Sequence, residues 1–199
     1  MWATVGDKLD AMDAAEHYRH LLTLEREDFL AAAAPAVLVR YRAAEPDPSA
    51  TAASTLTFDY ELGADANTEL APDLGETVDD ARLRGRVPAG PVEMDLYPLV
   101  KKPGASFRDR ITIGRTINND VVIADHSVSR LHAYVRLAEG WLIADAGSKN
   151  GSWLDDTELE PRREMVLPPG SVVKLGDVRL SFYLSAELFD MLGGDHGRR

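Results

Sequence analysis

Four short polar fragments between residues 114 and 152 carry side chains suited to holding an anion. They are Gly114-Arg115, Asn118-Asn119-Asp120, Ser129-Arg130-Leu131-His132 and Ser148-Lys149-Asn150-Gly151-Ser152. Apolar segments of strand type separate them, so we expect the fragments to lie at strand ends and in turns. Guanidinium, ammonium, hydroxyl and amide groups that converge there can hold an anion. The spacing therefore predicts a phosphate-binding site.

The elements that must position these fragments are short strands. From Met94 onward, turn residues such as Pro103-Gly104, Glu139-Gly140 and Gly176-Asp177 interrupt apolar segments at regular spacing. The predicted strands cover residues 94–101, 110–113, 121–124, 131–137, 141–145, 153–154, 172–175 and 178–184. Many short strands at this spacing predict an antiparallel β-sandwich. Alternation in residues 131–137 predicts that Leu131, Ala133, Val135 and Leu137 share one face.

The N-terminal part has a different pattern. Apolar residues at helical spacing predict a helix over residues 12–22 and a second one from Leu24 to about Ala34, with Thr23 as its cap and Pro35 at its end. Residues 36–41 and 56–62 have β character. We therefore divide the chain into a helical region ending in a strand (1–42), an acidic linker with one possible strand (43–91), the sandwich (92–186) and a C-terminal helix and tail (187–199).

Charge and composition narrow the classes of function. The net charge is −11, and residues 43–93 alone carry eleven acids against three arginines, which argues against a broad basic face for nucleic acid. The absence of cysteine excludes disulfides and thiolate metal sites and is compatible with a cytoplasmic location, which we predict. The longest apolar run, residues 30–39, is broken by Pro35 and is too short to span a membrane, so no membrane insertion is expected.

The order Gly-Arg, Ser-Arg-x-His and Ser-x-Asn-Gly resembles the forkhead-associated (FHA) domain, a β-sandwich whose loops bind phosphothreonine peptides. The resemblance covers about residues 92–186. It implies a mainly β fold, an FHA-type antiparallel sandwich with an N-terminal helical, partly β extension and a short C-terminal helix. It also implies that the phosphopeptide contacts Arg115, Ser129, Arg130, Lys149 and Asn150.

Each of these residue types suits its expected role. The Arg115 guanidinium can bind two phosphate oxygens at once, Ser129 offers its hydroxyl and its backbone amide, and the Asn150 amide can bind the peptide main chain. By residue type alone, Arg115 could instead be an exposed strand-end arginine and Ser129 a turn-forming serine.

Five further residues are expected to shape the loops. They are Gly114, Asn119, His132, Gly151 and Ser152, and the resemblance implies that His132 braces the loops through hydrogen bonds. Two positions depart from the family pattern: Ser152 stands where threonine is frequent, and Asp155 where asparagine is frequent.

These expectations describe a signalling adaptor that binds phosphothreonine-containing proteins, a Ser/Thr kinase or its substrates, in a bacterial pathway. The segment Glu76-Thr77-Val78-Asp79-Asp80 places acids around Thr77, a possible phosphorylation site through which the chain would regulate itself. The alternative is a structural or assembly protein that uses an FHA-like sandwich as a phosphate-independent docking surface. We expect no enzyme activity, because Ser129, His132 and Asp145 come without a nucleophile elbow, and no cofactor or metal.

Overall fold

A computed structural model of the chain describes residues 11–43, 92–105 and 107–193. In chain order these residues form α1 (Ala11–Leu21), α2 (Arg26–Ala32), β1 (Ala36–Ala43), β2 (Val92–Pro98), β3 (Ile111–Gly114), β4 (Val121–Val122), β5 (Ala133–Leu137), β6 (Trp141–Asp145), β7 (Ser152–Leu154), β8 (Thr157–Glu158), β9 (Met165–Val166), β10 (Val172–Leu175), β11 (Val178–Leu184) and α3 (Ser185–Gly193). The predicted strand at residues 56–62, Thr77, most of the acidic linker and the tail from residue 194 lie outside this described part.

The strands form two sheets that pack face to face. One has six strands in the order β2-β1-β11-β10-β7-β8, and the other has five in the order β4-β3-β5-β6-β9. The neighbouring strands pair antiparallel except β3 and β4, which are parallel. The prediction of a mainly β sandwich with flanking helices is confirmed.

An apolar core fills the space between the sheets. Alternating residues of the short strands point into it, as a period of two requires. The five-stranded sheet contributes Ile113, Ala133, Val135, Trp141 and Ile143, and the six-stranded sheet contributes Leu38, Val173, Leu175, Leu180 and Phe182.

A helical layer covers the outer face of the six-stranded sheet. A second apolar cluster joins Ala14, Tyr18, Leu21 and Phe29 of the helical hairpin and Leu188 and Met191 of α3 to Val37, Val39, Met94, Leu96 and Tyr183 of the sheet. Strand β1 thus faces apolar surroundings on both sides, which is why Ala36-Val37-Leu38-Val39 is apolar without alternation. The described part of the chain has three layers.

Strand β1 lies inside the sandwich rather than beside it. It pairs with β11 through Ala36–Val39 and with β2 through Val37–Ala43. The sandwich in the structure therefore includes residues N-terminal to the range 92–186 predicted for it. The pairing joins segments on either side of the acidic linker, and local sequence patterns do not record such long-range partners.

Two local predictions were wrong. The strand predicted over residues 131–137 begins only at Ala133, so Leu131, which is 40% exposed, does not belong to it; Leu137, its last residue, is 60% exposed. Thr23 does not cap the second helix: its hydroxyl donates to the His20 carbonyl at 2.8 Å, while the N-cap of α2 is Glu25. Within residues 11–43, 92–105 and 107–193, no helix is long and apolar enough to cross a membrane.

Candidate functional site

Three loops meet at one end of the sandwich, and we call them the site loops: loop A (residues 115–120), loop B (123–132) and loop C (146–151). Backbone hydrogen bonds join them. The Arg115 N–H donates to the Ser129 carbonyl at 2.9 Å, and the Ala146 N–H donates to the His132 carbonyl at 2.8 Å. Loop B therefore lies between loops A and C and contacts both.

Asn119 and Gly114 hold loop A against loop B. The buried Asn119 amide donates to the Arg130 carbonyl at 2.6 Å and to the Thr116 carbonyl at 2.8 Å. A Cβ added at Gly114 would overlap that same Arg130 carbonyl and lie 2.8 Å from the Asn119 amide nitrogen. Glycine is needed at residue 114 because the two backbones approach so closely there.

Asp120 anchors the other end of loop A. Its buried carboxylate accepts hydrogen bonds from the Thr112 N–H at 2.8 Å, the Lys102 N–H at 2.9 Å and the Lys101 ammonium at 2.6 Å. Burial alone would raise the pKa of Asp120, but these hydrogen bonds outweigh it, and the pKa lies below its ordinary value. The carboxylate therefore stays charged and ties loop A to the segment after β2.

His132 links loops B and C through both ring nitrogens. Nδ1 accepts the Ser129 N–H at 2.9 Å, and Nε2 lies 2.9 Å from the Gly151 carbonyl. Because Nδ1 is an acceptor, the bonding pattern assigns the proton to Nε2, which donates to Gly151. The ring is fully buried, and burial lowers the pKa of His132. The neutral imidazole is a structural bridge.

Ser129 presents only its hydroxyl to a ligand. Its Oγ accepts the Lys149 N–H at 2.9 Å, which fixes the hydroxyl while leaving its proton free to donate. Its backbone N–H already donates to His132. The expectation that this amide would also serve a phosphate was wrong, because the histidine three residues later is its partner.

Asp145 organises loop C, a role that was not predicted from the sequence. Its buried carboxylate accepts from the Gly147 N–H at 2.7 Å, from the Ser148 N–H and hydroxyl at 2.9 and 2.6 Å, and from the Ser152 hydroxyl at 2.6 Å. Burial would raise the pKa of Asp145, but these hydrogen bonds outweigh it and lower the pKa. The sequence signal for this role is an acid at a strand end that is followed two and three residues later by Gly147 and Ser148.

Asn150 connects loop C to loop B. Its side-chain amide donates to the Ser127 carbonyl at 2.8 Å, while Ser127 in turn donates its hydroxyl to Asp125 at 2.7 Å. Gly151 follows with a φ of +76°, a conformation that glycine adopts without strain. Asn150 is exposed, and its Oδ1 makes no hydrogen bond within the described residues, so it keeps capacity for a ligand.

Asp155 braces a turn away from the site loops. It has a φ of +44°, and its carboxylate accepts the Val172 N–H at 2.7 Å. Aspartate tolerates this backbone region better than most residues do. The departure from asparagine at this position therefore leaves that turn hydrogen-bonded.

Positive charge in the site loops has no partner within the described residues. Arg115, Arg130 and Lys149 are exposed, and none of their side chains makes an ion pair or hydrogen bond there. Several other arginines in the same part of the chain pair with carboxylates, among them Arg40 with Asp125 and Arg42 with Asp95. The three unpaired cations belong to the same three loops as the fixed Ser129 hydroxyl, a combination suited to an anion.

The geometry does not form a catalytic triad. The Ser129 hydroxyl contacts the Lys149 amide, not His132, and the histidine Nδ1 accepts a backbone proton. Both nitrogens of His132 bond to main-chain groups, so neither is placed to take a proton from a serine nucleophile.

Comparisons with known proteins match a family profile to the part of the chain that carries the three site loops. The profile described as "FHA domain" matches residues 111–176. An oxoglutarate dehydrogenase inhibitor of Corynebacterium efficiens is 39% identical over 72 residues, 36% of this chain and 49% of that protein. The glycogen accumulation regulator GarA of Mycolicibacterium smegmatis is 39% identical over 70 residues, 35% of this chain and 42% of that protein. The chain thus spans less than half of these two relatives.

A solved structure of the FHA domain of the CT664 protein from Chlamydia trachomatis is 30% identical to this chain. The match covers 37% of this chain and 74% of the chain in that structure, with a TM-score of 0.35.

Proposed function

Because residues 111–176 of this chain form an FHA domain, we propose that the protein is a signalling adaptor that binds phosphothreonine-containing proteins at its three site loops, downstream of Ser/Thr kinases. The two bacterial relatives are named as an inhibitor and a regulator, which supports a regulatory role. In this proposal the site binds and does not catalyse.

The observation that carries the proposal is the position of the Ser129 hydroxyl. It is held by the Lys149 N–H, while the Arg115 N–H donates to the carbonyl of the same serine. The loops that hold this neutral donor also carry three cations, those of Arg115, Arg130 and Lys149. A phosphate with about −1.5 to −2 charges and three acceptor oxygens matches this set of donors.

The expected affinity follows from the number of donors. Three or four charge-assisted hydrogen bonds contribute about 1.5–3 kcal/mol each. Ordering the peptide and the long cationic side chains subtracts part of this sum. A remainder of about 8 kcal/mol corresponds to a micromolar Kd, which suits reversible signalling.

Asn150 and a contact with the threonine γ-methyl group would supply the finer selection. The Oδ1 and the second amide proton of Asn150 are available to the peptide main chain beside the phosphorylated residue. Selection of threonine over serine would come from a pocket for the γ-methyl group, which contributes about 1 kcal/mol at most. We therefore expect a preference for phosphothreonine of up to about fivefold from this contact.

Matched peptides test the proposal. The full chain is titrated with one peptide in its phosphothreonine, phosphoserine and unmodified forms. We expect binding in the order phosphothreonine, phosphoserine, unmodified, and at least about tenfold weaker binding in Arg115→Ala and Ser129→Ala, since each loses at least one charge-assisted hydrogen bond.

Arg108→Ala is the matched control for Arg115→Ala. Arg108 is exposed in the segment before β3, and the substitution removes the same charge outside the site loops. Its affinity should stay within about twofold of the wild type. Equal binding of phosphorylated and unmodified peptides would reject phosphate recognition and favour the phosphate-independent assembly protein.

Self-regulation through Thr77 is a second part of the proposal. A phosphate on Thr77 would be tethered to its own site loops, so its effective concentration would exceed that of a free peptide. Kinase-treated protein should then bind the phosphothreonine peptide more weakly than untreated protein, and Thr77→Ala should remove the difference. Equal affinities before and after phosphorylation of Thr77 would reject the switch.

A further inference from the structure

The turn between β10 and β11 is a fourth segment at the site end of the sandwich. Leu175 pairs with Val178, which leaves Gly176 and Asp177 as a two-residue hairpin turn. Gly176 has a φ of +60° and Asp177 does not have a positive φ, the pattern of a type II′ turn. The turn therefore holds Asp177 at the tip of the hairpin.

Direct contacts fix this turn against loops B and C. The Gly176 N–H donates to the Gly151 carbonyl at 3.1 Å, and the Asp177 N–H donates to the Ser127 hydroxyl at 3.0 Å. A Cβ at Gly176 would lie 2.6 Å from the Ser127 carbonyl, the same oxygen that accepts from Asn150. Asp177 is thus adjacent to the residue proposed to bind the peptide main chain.

The carboxylate of Asp177 is available to a ligand. The residue is exposed, and its side chain makes no ion pair or hydrogen bond within the described residues. The nearby Asp125 differs, because its oxygens already contact the Ser127 hydroxyl at 2.7 Å and the Arg40 guanidinium at 3.4 Å. Charge at this end is therefore divided, with unpaired cations on the site loops and an unpaired carboxylate on the turn.

The spacing between these two groups corresponds to a few peptide residues. Ser127 and Ser129 are two residues apart, about 7 Å at most. Asp177 lies one hydrogen bond of 3.0 Å beyond Ser127. The sum of about 10 Å, to which the short Ser127 side chain adds, is an upper bound, so the turn lies within about four residues of extended peptide at ~3.3 Å each from Ser129.

Building on the proposed function, we infer that Asp177 is a specificity-determining residue that selects peptides with Lys or Arg two to four residues from the phosphothreonine. A basic side chain there meets the carboxylate while the phosphate binds the cations. It also offsets the repulsion between the anionic peptide and a chain of net charge −11.

A charge scan on the full chain tests this inference. Phosphothreonine peptides carry a single Lys, Ala or Glu at each position from four residues before to four residues after the phosphothreonine. Lys at one of the positions two to four residues away should bind about two- to fivefold tighter than Ala at low salt, the range of an exposed ion pair. Asp177→Asn should remove this preference, and Asp177→Lys should reverse it in favour of Glu.

Asp156→Asn is the control for the loss of one surface carboxylate. Asp156 is exposed in the β7–β8 turn and has a φ of +67°, which asparagine accommodates. Its peptide preferences should equal those of the wild type. Phosphate-dependent binding with the same charge preference in wild type and Asp177→Lys would overturn the inference and leave the proposed function standing, whereas loss of all phosphate dependence would overturn both.

Discussion

At the scale of single residues, His132 shows how a buried side chain organises a binding surface without touching the ligand. Its ring joins the Ser129 amide of loop B to the Gly151 carbonyl of loop C. These bonds hold the backbone on either side of the Ser129 hydroxyl. Only the neutral Nε2–H form makes both bonds, so protonation would replace an acceptor with a second donor facing the Ser129 N–H.

The burial of His132 predicts a pH dependence of stability. The pKa of His132 in the folded protein lies below that in the unfolded chain, so the unfolded chain binds more protons between the two values. The free energy of unfolding should therefore fall as the pH drops from about 7.5 through 6.5, and this loss should level off below the folded pKa. Denaturant unfolding at a series of pH values measures it.

His132→Gln should be less stable at neutral pH and should show a smaller slope in this window. Burial also lowers the pKa of His17, so His17→Gln should remove a separate part of the slope. Because His17 lies in α1, far along the chain from the site loops, this variant should keep the phosphopeptide affinity of the wild type, whereas His132→Gln should bind more weakly. A pH slope in His132→Gln equal to that of the wild type would show that His132 does not cause it.

At the scale of elements, loop A is an unusually short connection between two parallel strands. Strands β3 and β4 are parallel neighbours, yet only residues 115–120 join them, whereas parallel strands normally need a crossover of about a dozen residues or more. Strand β4 has only two residues, and the Asn119 and Asp120 side chains bond to the surrounding backbone. These side-chain hydrogen bonds hold loop A in place, where a longer β4 would instead form more backbone hydrogen bonds to β3.

The close approach at Gly114 predicts the effect of a single methyl group. Gly114→Ala must push the Arg130 carbonyl and the Asn119 amide away, which should cost about 1–3 kcal/mol of unfolding free energy. Phosphopeptide affinity should fall with it, since loop A carries Arg115. Thermal or denaturant unfolding and peptide titration measure the two effects.

Gly140→Ala provides the comparison. No atom lies within 4 Å of a Cβ built at Gly140, and its φ is not positive, so this variant should be as stable as the wild type or slightly more stable. Equal stability of the two variants would contradict the role assigned to Gly114.

At the scale of the whole molecule, the helical layer and the sandwich share one sheet. Strand β1 contributes Ala36 and Leu38 to the core between the sheets and Val37 and Val39 to the cluster under the helices. Arg40 of the same strand pairs with Asp125 of loop B at 3.4 Å. The N-terminal residues thus support the sheet from which the site loops are held, and we expect the three layers to unfold together.

Phe29 tests this cooperativity. Its ring is fully buried in the helical layer, so Phe29→Ala should lower the unfolding free energy by about 3–5 kcal/mol. If unfolding is cooperative, the opening free energy obtained from amide hydrogen exchange in β6, in the opposite sheet, should fall by the same amount. Phe107→Ala, at a ring that is 44% exposed, should change little. Unchanged exchange in β6 of Phe29→Ala would show that the helical layer unfolds separately.

Sequence alone determined the features that depend on near neighbours along the chain. Alternation and turn residues predicted the mainly β fold and most strands from Met94 onward, because both signals depend only on residues a few positions apart in the chain. Strands β8 and β9 were not predicted, because a segment of two residues is too short to show such a period. The chemistry of the site loops was also visible, since Arg115, Ser129 and Asn150 occur beside turn residues.

Only the tertiary structure decided which of these groups meet and which atoms remain free. It placed β1 inside the sandwich, gave the Ser129 amide to His132, made Asp145 the organiser of loop C and brought Asp177 to Ser127. The physical reason is the same in each case. Pairing and hydrogen bonding between distant segments depend on the three-dimensional path of the chain, and a carboxylate or an amide has the same sequence letter whether its partner is water, a neighbour or a ligand.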